Sequence, residues 1–220
     1  RKIAEDALDA YKENGAKAEE FVLFIDEINR GNIPKIFGEL ITLLEKDYRD
    51  KDHAVELAYT QHKFHLPPNL FIVGTMNTAD MSLVQVDTAL RRRFAWREMM
   101  PDHTHKEIKA EYGKILEKIN KNILGIRSDL RDKQIGHTYF MNIKNPKQLQ
   151  QAFKDEIIPL LQDYFYHDYE DLAKVLNAKT TPAIPKKEQI IHADEFKVNV
   201  ELLKEKNATQ FYNSLKKLLR

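Results

Sequence analysis

Two adjacent carboxylates, Asp26 and Glu27, follow an unbroken apolar run, Phe21-Val22-Leu23-Phe24-Ile25. At the end of a buried segment such a pair divides the labour of phosphoryl transfer. One carboxylate holds Mg²⁺, usually through water, and the next polarises the attacking water. A second apolar run, Leu70-Phe71-Ile72-Val73-Gly74-Thr75-Met76, ends at Asn77-Thr78-Ala79-Asp80. The Asn77 amide can hydrogen-bond a terminal phosphate or the attacking water. Three consecutive arginines, Arg91, Arg92 and Arg93, close a short helical stretch that starts near Asp87. A guanidinium from a neighbouring subunit can offset the charge on a transferring phosphoryl group, as an arginine finger in trans. The three features together supply a metal, a positioned water and positive charge, which is most of what this reaction asks of a protein. Taken alone, the first run equally describes a core strand followed by a solvated acidic turn. Asn77 and the arginines favour the nucleotide site.

Elements that hold these groups follow from periodicity. The run 21–25 has the length of a strand buried on both faces, as in a parallel sheet with helices on each side. Ligands of open α/β sheets sit beyond the carboxyl ends of the strands, where Asp26 and Glu27 stand. Before it, residues 1–14 place Ile3, Ala7, Leu8 and Tyr11 on one helical face, and Gly15 stops the helix. After it, Asn32 can cap a helix with Pro34 in its first turn and an apolar stripe of Ile36, Phe37, Leu40, Ile41 and Leu44. Residues 47–56 are charged and read as a surface excursion. Leu66-Pro67-Pro68-Asn69 turns into the second strand, and Phe94-Ala95-Trp96-Arg97 offers a third. The fold class expected is α/β with a parallel sheet.

Past Pro101 the pattern becomes helical. Asp102 can cap a helix through Ile108, Tyr112, Ile115, Leu116 and Ile119. Asn145-Pro146 opens another through Leu149, Phe153, Ile157, Leu160, Leu161 and Tyr164, which Pro159 should kink. Asp168 to Leu176 is a third helix and 177–187 a loop. A short strand falls within Ile190–Val200, and Phe211, Leu215 and Leu218 mark a last helix. Three parts are expected: an α/β core over 1–100, a helical part over 101–178 and a C-terminal extension over 179–220.

Composition narrows the chemistry. The absence of cysteine among 220 residues excludes disulfides, thiol catalysis and Cys-based zinc sites. Lys+Arg 35 against Asp+Glu 34 leaves a net charge of +1, which gives no bulk argument for nucleic acid or membrane as a direct partner. No apolar stretch approaches the roughly 20 residues of a membrane-spanning helix. There is no signal-peptide core, and a cytoplasmic location is expected. His103 and His105 form a lone H-x-H at a polar helix start, a pattern that is usually solvated.

Four motifs in one order carry a resemblance: Asp26-Glu27-Ile28-Asn29-Arg30-Gly31-Asn32, Phe37-Gly38-Glu39-Leu40, Met76-Asn77-Thr78-Ala79-Asp80 and Ala89-Leu90-Arg91-Arg92-Arg93-Phe94. Together they resemble the McrB-type subunit of modified-cytosine restriction systems, a branch of the AAA+ NTPases. Gln134-Ile135-Gly136-His137-Thr138-Tyr139-Phe140 and Ile157-Ile158-Pro159-Leu160-Leu161-Gln162-Asp163-Tyr164-Phe165 are similar to the helical lid of that family. The resemblance covers residues 1–176. It implies an AAA+ sheet, incomplete because its P-loop strand is absent, followed by a lid. It also implies hydrolysis of GTP, or ATP, with Mg²⁺ in a homo-oligomeric, hexameric ring. An McrC-type endonuclease would be the partner, DNA would be reached through a missing N-terminal domain, and no membrane is involved.

Residue by residue, the resemblance implies that Asp26 is the Walker B metal-associated carboxylate, Glu27 the catalytic base and Asn77 the sensor 1 amide. One of Arg91, Arg92 and Arg93 is the finger. Asp80 belongs to the Asn-Thr-Ala-Asp signature and is grouped with the nucleotide-binding residues. His137 falls at a lid position that faces nucleotide, where it contacts phosphate or base, or else makes a structural hydrogen bond. Tyr164, Phe165, Tyr166 and Tyr169 read as lid core. The sequence departs from the family in two respects: it contains no G-x-x-x-x-G-K-[ST], since Gly113-Lys114 is followed by Ile115, and it lacks the family's modified-base-reading N-terminal domain. The chain thus reads as the C-terminal portion of a longer protein, inactive by itself. The competing readings are an AAA+ remodelling chaperone and a non-catalytic protein that keeps only the ring interface.

Overall fold

The computed structural model describes residues 2–58, 61–78, 88–126, 128–177, 185–195 and 197–219. Asp80, Asp87, Arg220 and residues 178–184 of the expected loop lie outside them. The chain divides into two compact units, Arg1–Glu98 and Met99–Arg220.

In the first unit α1 (Lys2–Asn14) precedes β1 (Phe21–Ile25). Asn32 caps α2 (Ile33–Phe37): its Oδ1 accepts the Lys35 N–H at 3.1 Å, and Pro34 sits in the first turn. The expected longer helix ends early because Gly38 takes a positive φ of 50°, and the stripe continues as a 3₁₀ helix, Gly38–Leu44. The charged excursion holds a small antiparallel hairpin, β2 (Val55–Glu56) with β3 (Lys63–Phe64). Then β4 (Leu70–Gly74) pairs with β1 in parallel, with Phe21 opposite Leu70 and Ile25 opposite Gly74.

Alternate residues of the two strands meet different surroundings. Phe21, Leu23, Leu70 and Ile72 face a core with Ala4, Ala7, Ile33, Leu43, Leu44, Leu66 and Leu90. Val22, Phe24, Phe71 and Val73 point the other way and are 55%, 59%, 39% and 44% exposed. The strand expected to be buried on both faces is therefore covered on one, because the described helices of this unit all pack on the same side. The third strand expected at 94–97 does not form. Instead the Trp96 indole N–H donates to the Arg91 carbonyl at 2.8 Å, folding that segment back on α3 (Thr88–Arg91).

The second unit is helical. Asp102 does not cap the next helix; its Oδ1 accepts the backbone N–H and the hydroxyl of Thr104 at 2.8 and 2.7 Å, closing a tight turn. The helix itself, α4, spans Ala110–Ile126. Gly113 is required within it, since a Cβ there would lie 2.1 Å from the His103 carbonyl oxygen. Asn145 caps α5 (Pro146–Ala152). The kink expected at Pro159 is absorbed by a π-helical turn, Phe153–Ile157, after which Pro159 stands in the first turn of α6 (Ile158–Tyr164). A π turn frees the backbone geometry that a proline ring would otherwise clash with. Asp168 caps α7 (Tyr169–Leu176) through the N–H groups of Glu170 and Asp171. The hairpin of β5 (Ile191–His192) and β6 (Lys197–Val198) and the helix α8 (Ala208–Lys217) follow. Ile190, Ile191, Leu202, Phe211, Leu215 and Leu218 from this C-terminal stretch share one core with α4 to α7. Among the described residues no helix is long and apolar enough to cross a membrane.

Candidate nucleotide site

Hydrogen bonds beyond the ends of β1 and β4 lock the two exits together. Thr75 N–H donates to the Ile25 carbonyl at 3.0 Å, and Ile28 N–H donates to the Thr75 carbonyl at 2.9 Å. Register then sets Thr75 beside Asp26. The Thr75 hydroxyl donates to Asp26 Oδ1 and accepts the Glu27 N–H at 3.1 Å. Gly74 gives Ile28 room, since a Cβ there would stand 3.0 Å from Ile28 Cδ1. Glu27 itself adopts a left-handed conformation, φ 50°, which is uncommon for a residue with a side chain. Such strain persists only where the surroundings over-determine it. Here the Thr75 hydroxyl and the ladder around Ile28 do so.

Asn29, 3% exposed, tucks under this turn. Its Nδ2 donates to the Asn77 carbonyl at 3.5 Å, and its Oδ1 meets no partner among the described residues. Asp26, Glu27 and Asn77 are thus brought to one end of the β1–β4 pair. Arg30 Nε stands 2.5 Å from Glu27 Oε2, an exposed pair that adds little stability but occupies the carboxylate expected to act as base. Asp80 lies outside the described residues.

The three arginines are not equivalent. Arg91 lies over the Trp96 ring, 5.2 Å from its centroid. Arg93 is largely enclosed, with Nε 3.1 Å from Glu45 Oε1, an ion pair without a hydrogen bond along that N–H. Arg92 is exposed, and among the described residues its guanidinium meets no partner. His137, in the second unit, makes a structural hydrogen bond: its Nδ1 accepts the Asp102 N–H at 3.3 Å. Asn120, buried in α4, holds the approach to His137 through two bonds with Ile135, at 3.0 and 2.8 Å.

Asn29 and Arg30 stand within the first motif, where the sequence offers a subunit-interface or a turn role; Thr75 escapes a reading confined to the carboxylate and amide motifs. The signal for Thr75 was its place as the one polar side chain near the end of the second apolar run, two residues before Asn77. No group of three or more metal-ligating side chains occurs among the described residues. Asp26 nevertheless fits Mg²⁺, which keeps most of its waters and takes only one or two protein carboxylates.

Comparison with known families fits this arrangement. Residues 4–94 match the AAA domain of the dynein-related subfamily, a span that holds Asp26, Glu27, Asn77 and the arginine run. Residues 111–173 match the McrB alpha-helical lid domain. The chain belongs to the McrB-type AAA+ family. It is 34% identical over 172 residues to the type IV methyl-directed restriction enzyme EcoKMcrB subunit of Escherichia coli K12, covering 68% of this chain and 38% of that protein. Over 100 residues it is 30% identical to the type II restriction enzyme BsuMI component YdiS of Bacillus subtilis 168, covering 40% of this chain and 29% of that protein. The chain therefore spans well under half the length of these McrB-type and restriction relatives.

Proposed function

We propose that this McrB-type chain is the nucleoside triphosphatase motor portion of a DNA restriction complex. It hydrolyses GTP or ATP with Mg²⁺ in a homo-oligomeric ring, in the cytoplasm, and drives DNA translocation and cleavage by an McrC-type nuclease subunit. Residues 1–100 act as the core, 101–178 as the lid and 179–220 as an extension of it. The observation that carries the reading is the Thr75 bridge, which fixes Asp26 and Glu27 side by side next to Asn77. Similarity to subunits of two restriction enzymes supports the setting.

In this mechanism Asp26 is the residue that would hold Mg²⁺, which would offset charge on the phosphates; Glu27 orients the attacking water, and Asn77 bonds the water or the terminal phosphate. For Glu27 to act, its carboxylate leaves Arg30. Arg92, exposed at the end of α3, is the arginine that reaches a neighbouring subunit's phosphates. The 220 residues hold no glycine-rich phosphate loop, which by itself favours a second reading, a ring-interface protein without catalysis. In the complete gene product Glu27→Gln is expected to lower hydrolysis by about 100-fold or more with nucleotide binding retained. Turnover within a few fold of wild type would remove Glu27 from the role of base. Mixing Arg92→Ala with Asp26→Ala subunits is expected to restore part of the activity each lacks alone.

A further inference from the structure

Charge is divided unevenly along the chain. Residues 99–220 hold 21 lysines and arginines against 17 aspartates and glutamates, so the second unit is basic and the first acidic. Over 185–219 each carboxylate is already in an ion pair with a lysine, as Glu188 is with Lys217 and Glu201 with Lys204. Lys187, Lys206 and Lys216 are exposed and pair with no carboxylate among the described residues. The outward face of α8 lies in this segment. Phe211 and Leu215 turn into the core, which leaves Thr209, Gln210, Asn213 and Lys216 exposed. α8 contains no acidic residue. Glu111 of α4, which α8 meets, accepts the Tyr212 hydroxyl at 2.7 Å. The Thr209 hydroxyl and the Gln210 and Asn213 amides make no side-chain hydrogen bond among the described residues. Lys216 packs over the Tyr212 ring, 5.2 Å from its centroid, and stays exposed.

A helix face of free amides flanked by unpaired lysines is a complement to duplex DNA. The major groove admits an α-helix, and there Asn or Gln bonds both N6 and N7 of adenine. Lysines on phosphates fix the register without reading sequence. A helix rises 1.5 Å per residue, so Gln210 and Asn213 stand about 4.5 Å apart along the axis, near the ~3.4 Å step between base pairs. Both lie in the first two turns of α8, the part of a reading helix that meets base edges. Lys206 precedes α8 and Lys216 stands near its end, with roughly 12 Å of helix between them, about the width of the major groove. We propose that α8 enters the major groove of duplex DNA, with Gln210 and Asn213 on base edges and Lys206 and Lys216 on the flanking phosphates. This gives the second unit a DNA-binding surface of its own. It goes beyond the triphosphatase reading and uses none of the residues assigned to hydrolysis.

The 220-residue chain is titrated, without nucleotide, into a fluorescein-labelled duplex of about 20 base pairs and followed by anisotropy. At about 50 mM salt, saturable binding is expected between about 1 and 100 μM, with log K falling against log salt at a slope of about −2 for two phosphates. The same sequence as a single strand, which has no groove, is expected to bind at least about fivefold more weakly. Lys206→Ala with Lys216→Ala is expected to weaken binding about tenfold and flatten the salt slope. Gln210→Ala with Asn213→Ala is expected to keep the slope and to erase a preference of about fivefold for A·T-rich over G·C-rich duplex. Lys114→Ala with Lys118→Ala removes the same charge from α4 and is expected to leave binding unchanged. No saturation up to about 500 μM, equal binding of the single strand, or an equal loss in the α4 variant overturns the proposal. Each of those results leaves the role of Glu27 in hydrolysis standing, and a chain that binds duplex DNA through α8 but whose complete gene product does not hydrolyse nucleotide would sink the triphosphatase reading alone.

Discussion

The two units solve the packing problem differently. The second has one continuous core from Ile108 to Leu218, with Tyr112, Phe140, Phe153 and Phe211 fully enclosed. The first has a core of Ala, Ile and Leu side chains on one side of a two-stranded sheet, with Val22, Phe24, Phe71 and Val73 open on the other. Yet the first carries the carboxylate pair and the arginine run. Its site is positioned less by packing than by hydrogen bonds at strand ends. Where apolar burial is thin, each buried polar contact decides more of the local geometry.

The largest expected effect tests the packed side of this contrast. Phe153 meets Phe140 and Phe211 edge to face, with centroids 5.9 and 5.3 Å away. Phe153→Ala is expected to cost about 3–5 kcal/mol in denaturant unfolding of the second unit. Phe24→Ala, at a 59% exposed position, is expected to change stability by less than about 0.5 kcal/mol. A loss at Phe24 comparable to that at Phe153 would mean the open face is covered, and the comparison would fail.

Arg49 is expected to come next. It lies in the charged excursion yet turns inward, and its guanidinium donates to the carbonyls of Leu43, Leu44 and Leu70. Burial pushes its pKa down, but not far enough to discharge an arginine. Arg49→Leu leaves three carbonyls without their donor and is expected to cost about 1–3 kcal/mol, read as faster exchange of the β1 and β4 amides. Unchanged exchange would show that packing alone holds the strand pair.

Arg49 also marks where sequence runs out. Charge density rightly put residues 47–56 at the surface, but nothing in a run of charged residues says which one bends back to tie carbonyls. The two strands, the Asn32 cap, the helix starts at Asn145 and Asp168 and the helical lid were legible because periodicity and capping are local, whereas Asp102, expected to cap a helix, closes a turn with Thr104 instead. The one-sided burial of β1 was not, because an apolar run does not say what covers each face. Asp26, Glu27 and Asn77 stood out by motif. The Thr75 bridge between them depends on strand register, which only pairing reveals. The difference among Arg91, Arg92 and Arg93 likewise depends on Trp96 and Glu45, residues that no helix-end rule connects to them.

Thr75→Val tests the polar side of the contrast at the site itself. The substitution keeps the shape and removes the hydroxyl that serves Asp26 and Glu27. A loss of about 1 kcal/mol is expected, together with lost protection of the Glu27 amide. Retained protection would show that the left-handed Glu27 turn is held by the backbone ladder alone.

The smallest effect separates the two units by the origin of their depressed carboxylates. In the second, Lys186 and Lys197 hold the exposed Glu195 down to about 2. In the first, Glu39 is held below the usual range chiefly by a backbone bond, with Ala58 N–H donating to Oε1 at 2.8 Å. A carboxylate whose folded pKa is depressed contributes stability that is full above its unfolded value, near 4.3, and is lost as pH falls through the folded value. Both contributions therefore fade on acidification, that of Glu195 between about pH 4.3 and pH 2. They differ in salt. At about 1 M ionic strength the Debye length is near 3 Å, so attraction from exposed lysines is screened while a short backbone bond persists. Carboxyl ¹³C titrations at low and high salt are expected to show the Glu195 midpoint moving upward and that of Glu39 nearly still. If both move together, Glu39 is held by charge rather than by geometry, and hydrogen bonding would lose its place as what organises the first unit.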